Sequence, residues 1–254
     1  MNFFYTVLIL RILDDPVNGC NSFLIGDELS GKAAIVDPLE TVGMDAYIME
    51  AQNWGLKYTY IIETHIHADH YSLAAIMSRT LNIPRLMAMN NEIKSPFEVV
   101  LDGQVISLGT VELSIMATPG HTPESVSILG TENLRGESPQ ILFSGDALFA
   151  GDVGRPDLAI GEGISIEEAT RDLYESLQKI MELPDFVELF PSHYGASKCG
   201  SIFMSRRQTS TIGYERKYNR FLQARDFKGF LALQRGLIGP PPENSKVIRA
   251  KNIS

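Results

Sequence analysis

Apolar residues in this chain recur in short runs closed by Gly, Pro, Asn or Asp, a pattern of buried strands set among fewer helices. The run Phe3 to Leu13 is rich in β-branched and aromatic residues and stops at Asp14-Asp15-Pro16, so it predicts a first strand. Cys20 to Ile25 and Ala33 to Val36, set apart by Gly26 and Gly31, predict two more strands in an antiparallel meander. From Gly43 to Trp54 the apolar spacing becomes helical, and Gly55 closes the segment before a strand over Tyr58 to Ile62.

Further along, Tyr71 to Thr80 reads as helix and Arg85 to Met89 as strand, while Val105 to Leu108 and Val111 to Met116 form a hairpin about Gly109-Thr110. Ser125 to Leu129, Ile141 to Phe143 and Phe186 to Phe190 read as strands, and Ile166 to Met181 as an amphipathic helix. The fold class is therefore layered α/β. No repeat, low-complexity tract or linker divides the first 200 residues.

The chain has 254 residues, enough for a sizeable core in one large domain or two small ones. A formal charge of −9 argues against nucleic acid, which calls for a basic face, and favours small substrates. Two cysteines give no disulfide framework, and no signal-peptide pattern is present, so a reducing cytoplasm is expected. Phe3 to Leu13 is not a membrane anchor, because Arg11 interrupts it and a spanning helix needs about 20 residues.

Composition says little about chemistry; the histidines say much more. The chain has five, three of them inside Thr64-His65-Ile66-His67-Ala68-Asp69-His70, the others in Thr118-Pro119-Gly120-His121 and Pro191-Ser192-His193. Asp69 and Asp146, the latter in Ser144-Gly145-Asp146, add oxygen donors. Each group follows the end of an apolar strand, so the strand ends are expected to converge on one rim.

One arrangement puts His65, His67 and His121 on one ion and Asp69, His70 and His193 on another, with Asp146 bridging; metals about 3.5–4 Å apart suit hydrolysis by a metal-held hydroxide. The other uses two histidines and one carboxylate with open positions, which suits iron(II) and dioxygen. The donor inventory leaves both open. A closed structural zinc fits less well, since it uses four ligands and seven candidates are present.

These phrases, in this order, resemble the metallo-β-lactamase superfamily, over roughly residues 5 to 200. Glu63 to Asp69, Ser144-Gly145-Asp146-Ala147-Leu148 and above all Gly151-Asp152-Val153-Gly154-Arg155-Pro156-Asp157-Leu158 are similar to its persulfide dioxygenase branch. Gly195 to Gly200, Ser210 to Glu215 and Gly239-Pro240-Pro241-Pro242 are similar to members that often carry a rhodanese domain. The resemblance implies an αββα sandwich as catalytic domain over 1–200, with a C-terminal helical extension over 201–254.

It also implies one iron(II) per chain held by His65, His121 and Asp146, with zinc as the alternative ion. His67, Asp69, His70 and His193 would then orient ligands around the iron or form a second metal site. The reaction implied is oxidation of a small persulfide, of the glutathione or coenzyme A type, by O2 to sulfite and thiol, in sulfide detoxification. The chain stops at Ser254, so a rhodanese partner is expected to be a separate protein or absent. The assembly is expected to be a homo-oligomer, with no membrane and no nucleic acid.

Three residues are candidates for substrate contact. Arg155 offers a planar fork for an anion, or pairs with Asp152 or Asp157. Tyr194, next to His193, is expected at the cavity mouth. Cys199 is a candidate sulfur-contacting thiol, with Lys198 favouring its thiolate, whereas Cys20, inside a strand-like run, is expected in the core. Arg206, Arg207, Arg216, Lys217 and Arg220 are either a solvated face or a steering patch for anionic thiols. Two rivals stand beside the dioxygenase: a binuclear zinc thioester hydrolase of the glyoxalase II kind, and a non-catalytic sulfane-sulfur carrier using Cys199.

Overall fold

The structure, a computed structural model, describes residues 7–159, 164–195, 197–235 and 243–254. Strands β1 (Leu8–Asp15), β2 (Cys20–Asp27) and β3 (Lys32–Val36) form the antiparallel meander, followed by α1 (Met44–Asn53), β4 (Lys57–Ile62), α2 (Ala74–Leu81), β5 (Arg85–Met87) and β6 (Glu98–Val99). Then come β7 (Val105–Ser107), β8 (Val111–Ala117), β9 (Val126–Glu132), β10 (Ile141–Gly145), the short ribbon β11 (Leu148–Phe149) and β12 (Asp152–Val153), α3 (Ile166–Ile180) and β13 (Glu188–Pro191). β14 (Ser210–Thr211), α4 (Ile212–Tyr218), α5 (Phe227–Arg235) and α6 (Ser245–Ile253) complete the chain.

The strands form one sheet in the order β1-β2-β3-β4-β5-β6 and a second in the order β14-β13-β10-β9-β8-β7. Side-chain parity explains the layers, because successive residues of a strand face opposite sides. Phe23, Ile25, Ala34, Val36 and Ile62 of the first sheet pack with Leu113, Ile115, Ile128, Phe143 and Phe190 of the second, forming the core between sheets. Their neighbours Leu24, Ala33, Ile35 and Ile61 face outward onto Tyr47 and Ala51 of α1 and Ala74 and Met77 of α2. On the far side Leu142 and Leu189 meet Leu173 and Leu177 of α3, Ile212 of α4 and Phe230 of α5. Each such Leu, Ile or Phe contributes about 1.5–3 kcal/mol by leaving water. The layers run helix, sheet, sheet, helix, the sandwich the resemblance implies.

Several boundaries differ from expectation. β1 runs through Asp14 and Asp15, and the turn comes after them, because the Asp15 carboxylate accepts from the N–H groups of Val17 and Asn18 at 3.0 and 3.3 Å. The part of the expected first strand before residue 7 lies outside the described residues, as does Gly239 to Pro242. α2 starts at Ala74 instead of Tyr71, since the Tyr71 carbonyl accepts from Glu40 N–H and Leu73 N–H donates to Pro38. The segment past residue 200 is not purely helical: β14 extends the second sheet, and Phe221 and Phe230 join its outer core. Among the described residues no helix is long and apolar enough to cross a membrane.

Candidate metal centre

Four chain ends meet at one rim of the sandwich. β4 leads into Glu63 to His70, β8 into Thr118 to His121, β10 into Asp146 and β13 into Ser192-His193. Gly145 lets β10 turn into Asp146: it holds φ +54, and a Cβ there would lie 2.9 Å from the Thr64 side chain. The β4 loop is tied from several sides. Glu63 receives the Ser72 hydroxyl at 2.7 Å and the Arg85 guanidinium, and Ile66 N–H donates to Glu124 at 3.0 Å. Asn252 of α6 donates to the carbonyls of His67 and His70, each at 2.9 Å.

His65, His121 and Asp146 are buried and place their donor atoms within 4.8 Å of one another. His121 Nε2 lies 3.3 Å and His65 Nε2 3.9 Å from Asp146 Oδ2. Donors about 2.1 Å from one ion and at right angles lie about 3 Å apart, so the spread is that of a set ready to close on a cation. The backs of both rings are committed. His121 Nδ1 donates to the Arg155 carbonyl at 3.0 Å, which leaves Nε2 bare toward Asp146. The Thr64 hydroxyl donates to Asp37 at 2.7 Å, so it must accept from His65 Nδ1 at 2.9 Å, again leaving Nε2 free.

Burial, followed by His67 and His121 nearby, holds the His65 imidazole well below its ordinary range and therefore neutral; burial also lowers His121. Asp146 is pushed up to about 6 by burial. Both of its oxygens are buried without a hydrogen-bond partner. Such a carboxylate is costly unless a cation meets it, so the residues fit a bound metal.

His67 goes elsewhere. Its Nε2 lies 3.2 Å from Asp37 Oδ1, an ion pair without hydrogen-bond alignment, and both side chains are fully buried. Burial works to lower the His67 pKa, but Asp37 outweighs it and raises the value to about 9. A protonated ring has no lone pair to give a metal.

A second donor group adjoins the first: Cys20, Asp69, His70 and His193, again within 4.8 Å. His70 Nδ1 and His193 Nε2 lie 3.2 and 3.3 Å from Asp69 Oδ2, and His193 Nε2 lies 3.5 Å from Asp146 Oδ1. His70 Nε2 and Asp69 Oδ1 are buried without partners. The Asp69 carboxyl is held well below its ordinary value, because His70 and His193 overcome the opposing effect of burial.

The remaining candidates are placed as follows. Arg155 is buried and forks onto Asp157 at 3.0 and 2.6 Å, the ion-pair alternative, with a third bond to the Lys198 carbonyl at 3.2 Å. Tyr194 donates its hydroxyl to Asp14 at 2.5 Å and lines a groove of about 600 Å³ with Arg206, Arg207 and Gln208. Cys199 is buried with Phe149 and Met204 and lies beside Asp146 and His193. Burial, then Asp69 and Asp146, push its thiol well above the ordinary value. Lys198 does not activate it, for that side chain is exposed and faces Glu243 at 3.8 Å.

Cys20 is buried as expected, but it is not simply core: its Sγ faces Asp69 Oδ2 at 3.7 Å. The basic run is largely occupied, Arg207 lying over Tyr214, Arg220 over Phe203, and Arg216 donating to the Met181 and Leu183 carbonyls. Sequence reasoning missed Asp37 and Asn252 altogether. Asp37 follows β3 directly, and a lone Asp after an apolar run was the one available signal for it.

Residues 15–193 match the family model described as the metallo-beta-lactamase superfamily. Over 193 residues the chain is 31% identical to the human protein named persulfide dioxygenase ETHE1, mitochondrial, covering 73% of this chain and 68% of that one. Among solved structures, a metallo-beta-lactamase from Staphylococcus aureus superposes with a TM-score of 0.88 at 30% identity, over 97% of this chain and 72% of the other. ETHE1 from Myxococcus xanthus superposes with a TM-score of 0.77 at 25% identity, over 96% and 99%.

Proposed function

The chain belongs to the metallo-β-lactamase superfamily, and from that premise we propose that it is an iron(II)-dependent persulfide dioxygenase. The observation that carries this reading is the withdrawal of His67 to Asp37, which leaves His65, His121 and Asp146 as two imidazoles and one carboxylate. That ligand type with open positions suits non-haem iron(II). The human relative named persulfide dioxygenase supports the same choice.

His65, His121 and Asp146 would hold the ion, which would supply the redox chemistry between a persulfide sulfur and O2. The balanced reaction takes RSSH, O2 and H2O to RSH, sulfite and two protons. Thr64 and the Arg155 carbonyl take the Nδ1 protons of the two imidazoles, which leaves each Nε2 bare and fixes the rings in orientation. His193 Nε2, set between Asp69 and Asp146, is the group placed to hold a proton beside the reacting atoms. Phe149, with its ring centroid 6.1 Å from that of His193, walls the site from water.

A second reading, a binuclear zinc hydrolase, is favoured by one feature: the adjoining donors Asp69, His70 and His193, with Asp146 positioned between the two groups. Oxygen uptake separates the two. Anaerobically purified, iron(II)-loaded protein is given glutathione persulfide and, separately, coenzyme A persulfide, with sulfite assayed in parallel. Iron-dependent uptake matched by sulfite is expected. No uptake, together with hydrolysis of S-lactoylglutathione by the zinc form, would overturn the dioxygenase.

A further inference from the structure

The β4 loop is fastened by a residue far from it in sequence. Asn252, on α6, is 9% exposed, and its Nδ2 donates to the carbonyls of His67 and His70 at 2.9 Å each. Its Oδ1 accepts from Ser72 N–H at 3.0 Å. A side-chain amide has two donor protons, and here both are spent on the loop. The three contacts, at residues 67, 70 and 72, bracket Asp69 and include His70 itself; the buried Oδ1 of Asp69 and Nε2 of His70 have no hydrogen-bond partner and belong to the second donor group.

Other residues also dock α6. The Ile253 carbonyl accepts from Lys94 N–H at 2.8 Å, Arg249 pairs with Glu92 at 3.2 Å, and Lys251 pairs with Glu40 at 3.3 Å and lies over the Tyr71 ring. Helix attachment therefore does not rest on Asn252 alone.

We propose that Asn252 is a positioning residue of the metal centre: by holding the carbonyls of His67 and His70 it fixes the turn that aims Asp69 and His70 into the cavity. The proposal rests on the reading of this loop as a metal-binding loop. Groups behind metal ligands typically alter affinity by about 10- to 100-fold when removed. Without the amide, the two carbonyls lose their donors and the turn relaxes, although no metal ligand has been changed.

The test measures cobalt(II) affinity and the visible absorption of the cobalt-loaded protein for wild type, Asn252→Asp, Asn252→Ala and Lys251→Ala, with melting of each metal-free form. Asn252→Asp keeps the volume and the acceptor for Ser72 but sets an acceptor oxygen, charged when ionised, against the two carbonyls, whereas Asn252→Ala removes the donors without adding charge. Both Asn252 variants are expected to bind cobalt(II) about 10- to 100-fold more weakly with a shifted spectrum. Lys251→Ala should keep wild-type affinity, and the metal-free Asn252 variants should fold but melt below wild type, since two buried carbonyls lose their donors. Wild-type affinity and spectrum in Asn252→Ala would overturn the proposal, as would an equal loss in Lys251→Ala or failure of both Asn252 variants to fold. A wild-type chain that takes up no cobalt(II) would instead overturn the metal reading itself.

Discussion

His67 turns its Nε2 to Asp37, 3.2 Å away, and not to the cavity where His65 and His121 meet Asp146. Asp37 is itself over-determined. It holds a left-handed φ of 48, accepts from Thr64 N–H at 2.8 Å and from the Thr64 and Ser192 hydroxyls at 2.7 and 3.0 Å, and is fully buried. One carboxylate thus orients His65 through Thr64 and removes His67 from the donor set, so the number of histidines in the first donor group is decided one layer behind it.

Breaking this pair leaves a buried ion without its partner, which costs about 3–5 kcal/mol. Asp37→Asn is therefore expected to lower the melting temperature of the metal-free protein. The pH dependence has a definite sign. The folded His67 value is raised from 6.5 to about 9, so its contribution is complete below 6.5 and is lost as pH rises through about 9. Asp37 is held below its ordinary 3.8, chiefly by His67 acting against burial, so its contribution is lost only in acid. The gap between wild type and Asp37→Asn should be full near pH 6 and close toward pH 9; a gap independent of pH would contradict the pairing.

Asp146 should show the opposite relation between stability and function. With both oxygens buried and unpartnered, its ionised form destabilises the metal-free protein. Burial raises its pKa from 3.8 to about 6, so the stability it contributes is present below 3.8 and lost as pH rises through about 6. Asp146→Asn is expected to melt at or above wild type when metal-free at pH 7, yet to bind metal more than about 100-fold more weakly, since even groups behind the ligands account for 10- to 100-fold. Calorimetry of the metal-free forms and metal analysis of the loaded ones check the two halves separately.

The donors were legible because each stands where an apolar strand meets Gly, Pro or Thr, and strand parity alone predicts a rim for them. The dispositions of His67 and Cys20 were not. Cys20 lies in an apolar run, and only the bridge between Cys20 and His193 brings its sulfur to Asp69. Asn252 sits among charged residues of α6, and nothing local ties it to carbonyls more than 180 residues earlier. Strands of two residues such as β6, β11, β12 and β14 carry no periodicity to read. The pairing of Arg155 with Asp157 was legible as one of two alternatives.

The Gly151 to Leu158 phrase has a steric reason at Gly154. A Cβ on Gly154 would lie 1.8 Å from the Asp146 carbonyl oxygen and 3.4 Å from His121 Cβ. Backbone cannot yield as a side-chain tip can, so Gly154→Ala must displace the turn carrying the candidate ligand Asp146. The expected loss is at least the 1–3 kcal/mol usual for overpacking, with reduced metal binding. Gly136→Ala, where a Cβ meets nothing within 4 Å, is the control for loss of glycine itself, although its φ of 144 adds some strain. Equal metal binding by wild type and Gly154→Ala would show that this close approach does not fix the Asp146 turn.

The two thiols give the last prediction. Cys20 and Cys199 are 1% and 2% exposed, and both face carboxylates of the metal centre. Burial first, then Asp69 for each, pushes both thiols far above the ordinary value of 9.0. The thiolate is the reactive form, so neither cysteine should react with iodoacetamide or an aromatic disulfide reagent at pH 8 while the metal-free protein is folded, and both should react once it is denatured. A bound cation would oppose the two carboxylates and lower both thiol values, because a nearby positive charge favours the ionised form. Restricted access would still slow alkylation in the loaded protein. Fast labelling of Cys199 in the folded, metal-free state would mean that it is an exposed thiolate, and would revive the sulfur-carrier reading that its burial argues against.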